Sequence, residues 1–377
     1  MDLQMVDLRG QTAAIRSELD VAIAAVIDRG AFVRGPFVAD FEAALSAYVA
    51  SLGAPGDVFA LGVGNGTDAL QIALMALGVG PGDEVVCPSF TFVATAEAAA
   101  LIGATPVFVD IEPDTFNLDP EKLHAALSTR TKAVVPVHLF GQCADTTAIR
   151  AVCDPLGIPV VEDMAQAIGG TWEGTPAGAL GAFACLSFYP SKNLGAFGDG
   201  GAILTTDPGL AERARQIANH GAAKKYHHTA VGVNSRLDAI QASILSVHLR
   251  HLPTWTLARR AAAAAYDSHF ADLEDVLRPV RRLEAHHVFH QYTIRVDAEI
   301  RDPLRDALKA QGVPTMVYYP EPIHRMPPYR SGPLAVTEQA CREVLSLPMH
   351  PFLTLDQIAF VAEQVRAGLG VRPLVAA

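Results

Sequence analysis

Apolar positions near the start of the chain recur at helical spacing, and further on they bunch into short runs. Ile15, Leu19, Ile23, Val26 and Ile27 predict an amphipathic helix over residues 12–29. From residue 58 seven short apolar runs follow: VFALGV (58–63), DEVVCP (83–88), TPVFVDI (105–111), KAVVPVHL (132–139), PVVED (159–163), FACLSF (183–188) and GAILTT (201–206). Several are rich in β-branched residues and apolar on both faces, as strands covered on both sides must be. Helical patterns fill the gaps, among them TDALQIALMALG (67–78) and DPEKLHAALS (119–128). This alternation predicts an α/β sheet with helices on both faces.

Past residue 207 helical patterns dominate, with long helices expected at 236–251 and 254–272. A smaller α+β region follows, with strands near 289–296 and 314–319 and helices near 300–311, 336–346 and 355–369. The pattern divides the chain into a large α/β unit, residues 1–250, and a small α+β unit, residues 251–377. No internal repeat or low-complexity tract interrupts it. In open α/β sheets ligands gather beyond the C-terminal ends of the strands, and the motifs of this chain fall there.

Composition narrows the functional classes. Of 377 residues 50% are hydrophobic and 18% charged, a globular balance. The net charge of −11 argues against a broad basic face for nucleic acid and leaves room only for a local cluster of donors. No apolar run reaches the roughly 18 residues of a membrane span. MDLQMVDLRGQ lacks the basic-then-apolar order of a secretory signal. Cys87, Cys143, Cys153, Cys185 and Cys341 are scattered and form no CxxC, which fits buried thiols in a reducing cytoplasm.

Three segments carry candidate chemistry. GVGNGTDAL (62–70) follows a strand and opens a helix, with Gly64 and Gly66 allowing a tight turn. It reads either as an anion cradle or as an ordinary turn capped by Thr67 or Asp68. It lacks the GK[ST] of a Walker A loop and the third glycine of a Rossmann fingerprint. PVVEDMAQA (159–167) leaves Glu162 and Asp163 where a buried strand ends. Asp163 reads as a helix cap, a metal ligand or the partner of a cationic heterocycle, and Gln166 lies three residues on. SFYPSKNLGAFGDGG (187–201) contains Lys192, one of six lysines, amid aromatic residues and glycines. A lysine in apolar surroundings has a lowered pKa and attacks carbonyls as the free amine; the alternative is a solvated loop lysine.

Together these parts suit one cofactor. Pyridoxal phosphate needs an anion cradle, an ionised carboxylate on its ring nitrogen, a Schiff-base lysine and a flat group against its ring. Thr67, Asp163 and Lys192 supply the first three. CPSFTFVAT (87–95) offers Phe92, with Phe90 as the alternative, for the fourth. The histidines at 227–228 and in HHVFH (286–290) suggest no metal, because no carboxylate or cysteine joins them at ligand spacing.

With GNGTDAL, PSFTFVAT, PVHLFGQ, VEDMAQA, SFYPSKNLGAFGDGG and VGVNSRLDAIQASIL in this order, the chain resembles the DegT/DnrJ/EryC1/StrS aminotransferases. That resemblance implies the type I fold of pyridoxal-phosphate-dependent transferases, with a mostly parallel seven-stranded sheet, and transfer of an amino group from glutamate to a keto-sugar nucleotide. It implies Lys192 as the Schiff-base lysine, Asp163 on the pyridine nitrogen and Gln166 near the ring hydroxyl. Gly66, Thr67, Asp68 and Ser187 would hold the phosphate. Asn234 would reach the cofactor of a second subunit, which makes a homodimer. Tyr189, Tyr318 and His324 would line the sugar site, and Lys224 and Lys225 would meet the diphosphate. Relatives with histidine in place of the lysine are dehydratases, so Lys192 indicates transamination. The wording around the lysine resembles members that aminate C3, with a dTDP-linked 3-keto-6-deoxyhexose expected. A 4-keto sugar, an inositol-like ketone and a non-catalytic binding protein are the rival readings.

Overall fold

The computed structural model describes residues 3–370. All seven apolar runs form strands: β1 Phe59–Val63, β2 Glu84–Pro88, β3 Thr105–Val109, β4 Thr131–Val134, β5 Val161–Asp163, β6 Phe183–Ser187 and β7 Gly201–Thr205. β2 pairs in parallel with β3 and β4, and β5 with β6. The parallel bridges Val134↔Val160 and Val137↔Asp163 join β4 to β5. β7 runs antiparallel to both β6 and β1. The spatial order is therefore β3-β2-β4-β5-β6-β7-β1, parallel except for β7.

The two-residue period of a strand divides the core. Phe183 and Cys185 of β6 pack with Leu70, Ile72 and Leu74 of the helix Gly66–Ala76. Ala184 and Leu186 pack on the opposite face with Phe41, Leu45 and Val49 of the helix Pro36–Ser51, and with Leu245 and Leu249. A separate core gathers Tyr266, Phe270, Tyr292, Leu304 and Val361 around β8, Tyr292–Arg295, and β9, Val344–Leu347, which pair antiparallel.

Four expectations change. The helix over 12–29 is two, Leu8–Ala14 and Arg16–Arg29, broken at Ile15, and Ile27 is exposed. The two long helices expected on either side of residue 252 are one, Ala239–His269, with Pro253 inside it. Proline inside a helix costs about 3 kcal/mol, but Leu249, Leu252 and Trp255 around it are buried and hold the axis together. Residue 250, the expected division between units, lies within this helix. Residues 314–319 form no strand; only Met316 bridges to Ser346. The helix expected to 346 stops at Glu343, and VLSL continues as β9 because Ile294 and its neighbours on β8 supply a partner. Residues 371–377 of the expected C-terminal unit lie outside the described residues. Among the described residues no helix is long and apolar enough to cross a membrane.

Candidate active site

The site forms where β5 and β6 end. Asp163 closes β5 and is buried. The backbone N–H of His138 donates to its carbonyl, which holds the strand end in register. Its Oδ2 accepts from the Thr95 hydroxyl at 2.8 Å, and Oδ1 accepts from the Ala165 N–H at 3.2 Å. Burial raises the pKa of this carboxyl, while Thr95, Ala165, Lys192 and His138 oppose the shift. Glu162, the neighbouring acid, is structural: it is fully buried, accepts from the N–H groups of Gly178, Leu180 and Gly181, and meets His138 Nε2 at 3.0 Å.

Lys192 follows β6 in a tight loop, where its N–H donates to the Tyr189 carbonyl at 2.8 Å. Burial lowers its amine to about 8, and only the Asp163 charge pulls it upward. An amine poised there exchanges protons readily near neutral pH. Lysine and carboxylate thus lie within electrostatic reach of each other, past the ends of adjacent strands.

The glycine turn lies beside them. Asn65, rather than Thr67 or Asp68, caps the helix Gly66–Ala76: its side chain accepts from the Asp68 N–H at 2.8 Å. This leaves the N–H groups at the start of the first turn for an external acceptor. A Cβ on Gly66 would stand 2.7 Å from the Ser187 Cβ, so the glycine lets the helix start close against β6. Thr67 and Ser187 are both half-buried here. The Asp68 carboxylate is taken up by Ser235, whose hydroxyl donates to it at 2.6 Å and accepts from the Gly64 N–H. Asp68 therefore braces the turn rather than offering a donor to an anion.

The two phenylalanines part company. Phe90 is fully buried among Phe116, Phe140 and Tyr319, whereas Phe92 is 59% exposed. Gln166 is buried; its Oε1 accepts from the Phe140 N–H at 2.7 Å and its amide donates to the Tyr319 hydroxyl at 3.2 Å. Tyr189 is 57% exposed and Tyr318 is half-buried. Lys224, Lys225 and Asn234 are exposed, the lysines on and beside the small hairpin Ala222–Lys224/His227–His228.

His324 corrects an expectation. It is fully buried, with Nδ1 2.8 Å from the Ser89 hydroxyl and Nε2 3.0 Å from Glu338. Neither ring nitrogen is free for a sugar; the residue anchors the segment after Tyr319 to the end of β2. Thr95 carries no signal of its role in the sequence: it lies inside PSFTFVAT, and only the fold brings it to Asp163.

The sequence profile of the DegT/DnrJ/EryC1/StrS aminotransferase family matches residues 13–366. The chain belongs to that family. Among its relatives, a UDP-2-acetamido-2-deoxy-3-oxo-D-glucuronate aminotransferase of Pseudomonas aeruginosa is 46% identical over 95% of this chain and 98% of its own. A protein of Geobacillus stearothermophilus described as a pleiotropic regulatory protein is 47% identical over 97% and 98%. The crystal structure of Streptomyces venezuelae DesV with a ketimine intermediate superposes with a TM-score of 0.92, at 44% identity over 97% of this chain and 98% of that one.

As a member of this family the protein is a pyridoxal-phosphate-dependent aminotransferase of the type I fold. Its own residues fit the cofactor. A helix N-terminus opens beside Ser187 with no Cβ in the way, and a Thr95-anchored carboxylate lies within electrostatic reach of a lysine whose amine burial lowers to about 8.

Proposed function

We propose that this aminotransferase moves an amino group from glutamate to C3 of a 3-keto hexose carried on a pyrimidine nucleoside diphosphate. A dTDP-linked 3-keto-6-deoxyhexose is the first substrate to try. The reading is carried by Asp163 at the end of β5 and Lys192 in the loop after β6, within electrostatic reach of each other. The ring position draws support from relatives whose names carry a 3-oxo or 3-amino sugar, including the Streptomyces venezuelae dTDP-3-amino-3,4,6-trideoxy-α-D-glucose transaminase at 44% identity.

Lys192 is assigned as the residue that attaches the cofactor, and Asp163 as the partner of its ring nitrogen. Gly66, Thr67 and Ser187 receive the phosphate, with Asp68 bracing their turn. Phe92 would lie against the ring and Gln166 at its hydroxyl edge. When bound, pyridoxal phosphate supplies the electron sink on which amino transfer depends. The chain does the rest. Thr95 and Ala165 orient the Asp163 carboxylate, which keeps a cationic ring nitrogen protonated. Lys192 Nζ, once free, takes a proton from the donor carbon and returns it on the other side of the transfer. Tyr189, Tyr318, Lys224 and Lys225 form the sugar-nucleotide side. Exposed Asn234 is assigned to the cofactor phosphate of a second subunit, so the working form is a homodimer. Residues 1–250 would be its cofactor-binding part and 251–377 the smaller part.

The test is an assay with glutamate and matched 3-keto and 4-keto nucleotide sugars. The expected result is 2-oxoglutarate and a 3-amino sugar. Turnover of 4-keto sugars alone would overturn the ring position. Failure with every ketone would favour a regulatory role, the reading suggested by the Geobacillus stearothermophilus relative's name.

A further inference from the structure

The loop that carries Lys192 is held by two buried imidazoles that the chemistry above does not use. His248, on the helix Ala239–His269, places Nδ1 2.7 Å from the Gly195 carbonyl. A carbonyl only accepts, so Nδ1 carries the proton. Its Nε2 is buried without a partner, in a ring cluster with Phe197 and Trp255 at 5.6 and 5.5 Å. His290 places Nδ1 3.1 Å from Asn193 Oδ1. The Asn193 amide donates to the Val288 carbonyl, so Oδ1 is the acceptor and His290 also donates from Nδ1. Arg259 in turn holds the carbonyls of Phe289, His290 and Met349.

These bonds grip the loop just after the lysine. Asn193 is its neighbour in sequence. Gly195 folds back so closely that a Cβ would stand 2.4 Å from the Pro190 carbonyl. Gln241, one helical turn from the start of the same helix as His248, closes the far end: it accepts from the Phe197 N–H at 2.8 Å and donates to the Phe197 carbonyl at 3.3 Å. Loops that connect strands are ordinarily mobile. This one is fixed to the long helix and to the HHVFH segment.

We propose that His248 and His290 are positioning residues for Lys192, a pair of imidazoles donating from Nδ1 that fix where its amine stands. The segment that reads as a stray histidine cluster is thus one jaw of a clamp on the reactive loop. Burial keeps both rings uncharged, which suits a donor that must not repel the lysine it positions. The inference rests on Lys192 being the attachment residue.

The test uses the holoenzyme and four variants. H248F and H290F keep a flat ring and remove the donor. H248N and H290N keep a donor close to the Nδ1 position and remove the ring. Four readings are taken: kcat and KM for both substrates, the pH midpoint of the visible absorbance band, hydrogen exchange over residues 193–200, and thermal stability. The phenylalanine variants are expected to lose about tenfold or more in kcat, as small misplacements of a reacting group do. KM should hold, the absorbance midpoint should move and exchange in the loop should quicken. The asparagine variants should recover most of the rate and the midpoint. If the phenylalanine variants keep the wild-type midpoint and exchange, or if each asparagine variant is as impaired as its phenylalanine counterpart, the clamp is refuted. Borohydride reduction of the wild type checks the attachment residue separately. A label on Lys192 with unperturbed phenylalanine variants removes the clamp alone.

Discussion

The floor of the site and its rim are built differently. On the floor, Asp163, Lys192, Gln166 and Gly66 are set by strand ends, and the side chains of Asp163 and Gln166 have partners within the chain. On the rim, Phe92, Tyr189, Lys224, Lys225 and Asn234 are open to solvent, and the side chains of the lysines and Asn234 form no hydrogen bond among the described residues. The floor is complete in one chain, while the rim waits for substrate and, on our reading, for a second subunit. Catalytic groups need fixed geometry before the reaction. Recognition groups gain their partners on binding, so their mutation should act on affinity rather than on chemistry.

The largest break in that comparison is Lys192→Ala. It should lower kcat by about 10⁴-fold or more, beyond what a general base alone contributes, and single-turnover kinetics will read it. Asp163→Asn should follow, at roughly 10²–10³-fold in kcat, the scale seen when a preorganised electrostatic contact is removed. Thr95→Val sharpens the contrast. It strips one donor from a buried carboxylate and should cost about 1–3 kcal/mol of stability by denaturant titration, with weaker cofactor retention. On the rim, Lys224→Ala and Lys225→Ala should leave kcat in place. Each should raise KM for the nucleotide sugar only a few-fold, by less at high salt, since exposed charges contribute about 0–1 kcal/mol.

A last effect is a slope. The Lys192 amine is lowered to about 8 in the folded protein against an ordinary value of 10.5. Between these values the unfolded chain binds the extra proton and the folded one does not. Stability contributed by this group therefore rises with pH from about 8 to 10.5. The cofactor-free protein should gain stability over that window relative to Lys192→Met, measured by paired denaturant titrations.

Much of the floor was legible in the sequence because strands covered on both sides read as apolar runs. All seven appear within two residues of their expected starts or ends, and the motifs at their ends meet. What stayed hidden depends on contacts between distant segments. VLSL reads as the end of a helix until Tyr292–Arg295 lies beside it. Pro253 reads as a helix break, yet burial of its neighbours carries the helix through. Thr95 and Asp163 are 68 residues apart, so no spacing rule pairs them. His324 reads as a loop residue near a sugar, but Ser89 and Glu338 draw it inward. Asn65 is the signal that was available: an asparagine before a helix start is a preferred cap.

Borohydride reduction of the cofactor-saturated protein, followed by peptide mapping, tests the central claim most directly. The account predicts a reduced pyridoxyl group on the peptide spanning SFYPSKNLGAF, at Lys192, and on no other lysine. A label on a different lysine, or an unlabelled Lys192 in a fully loaded sample, would contradict it.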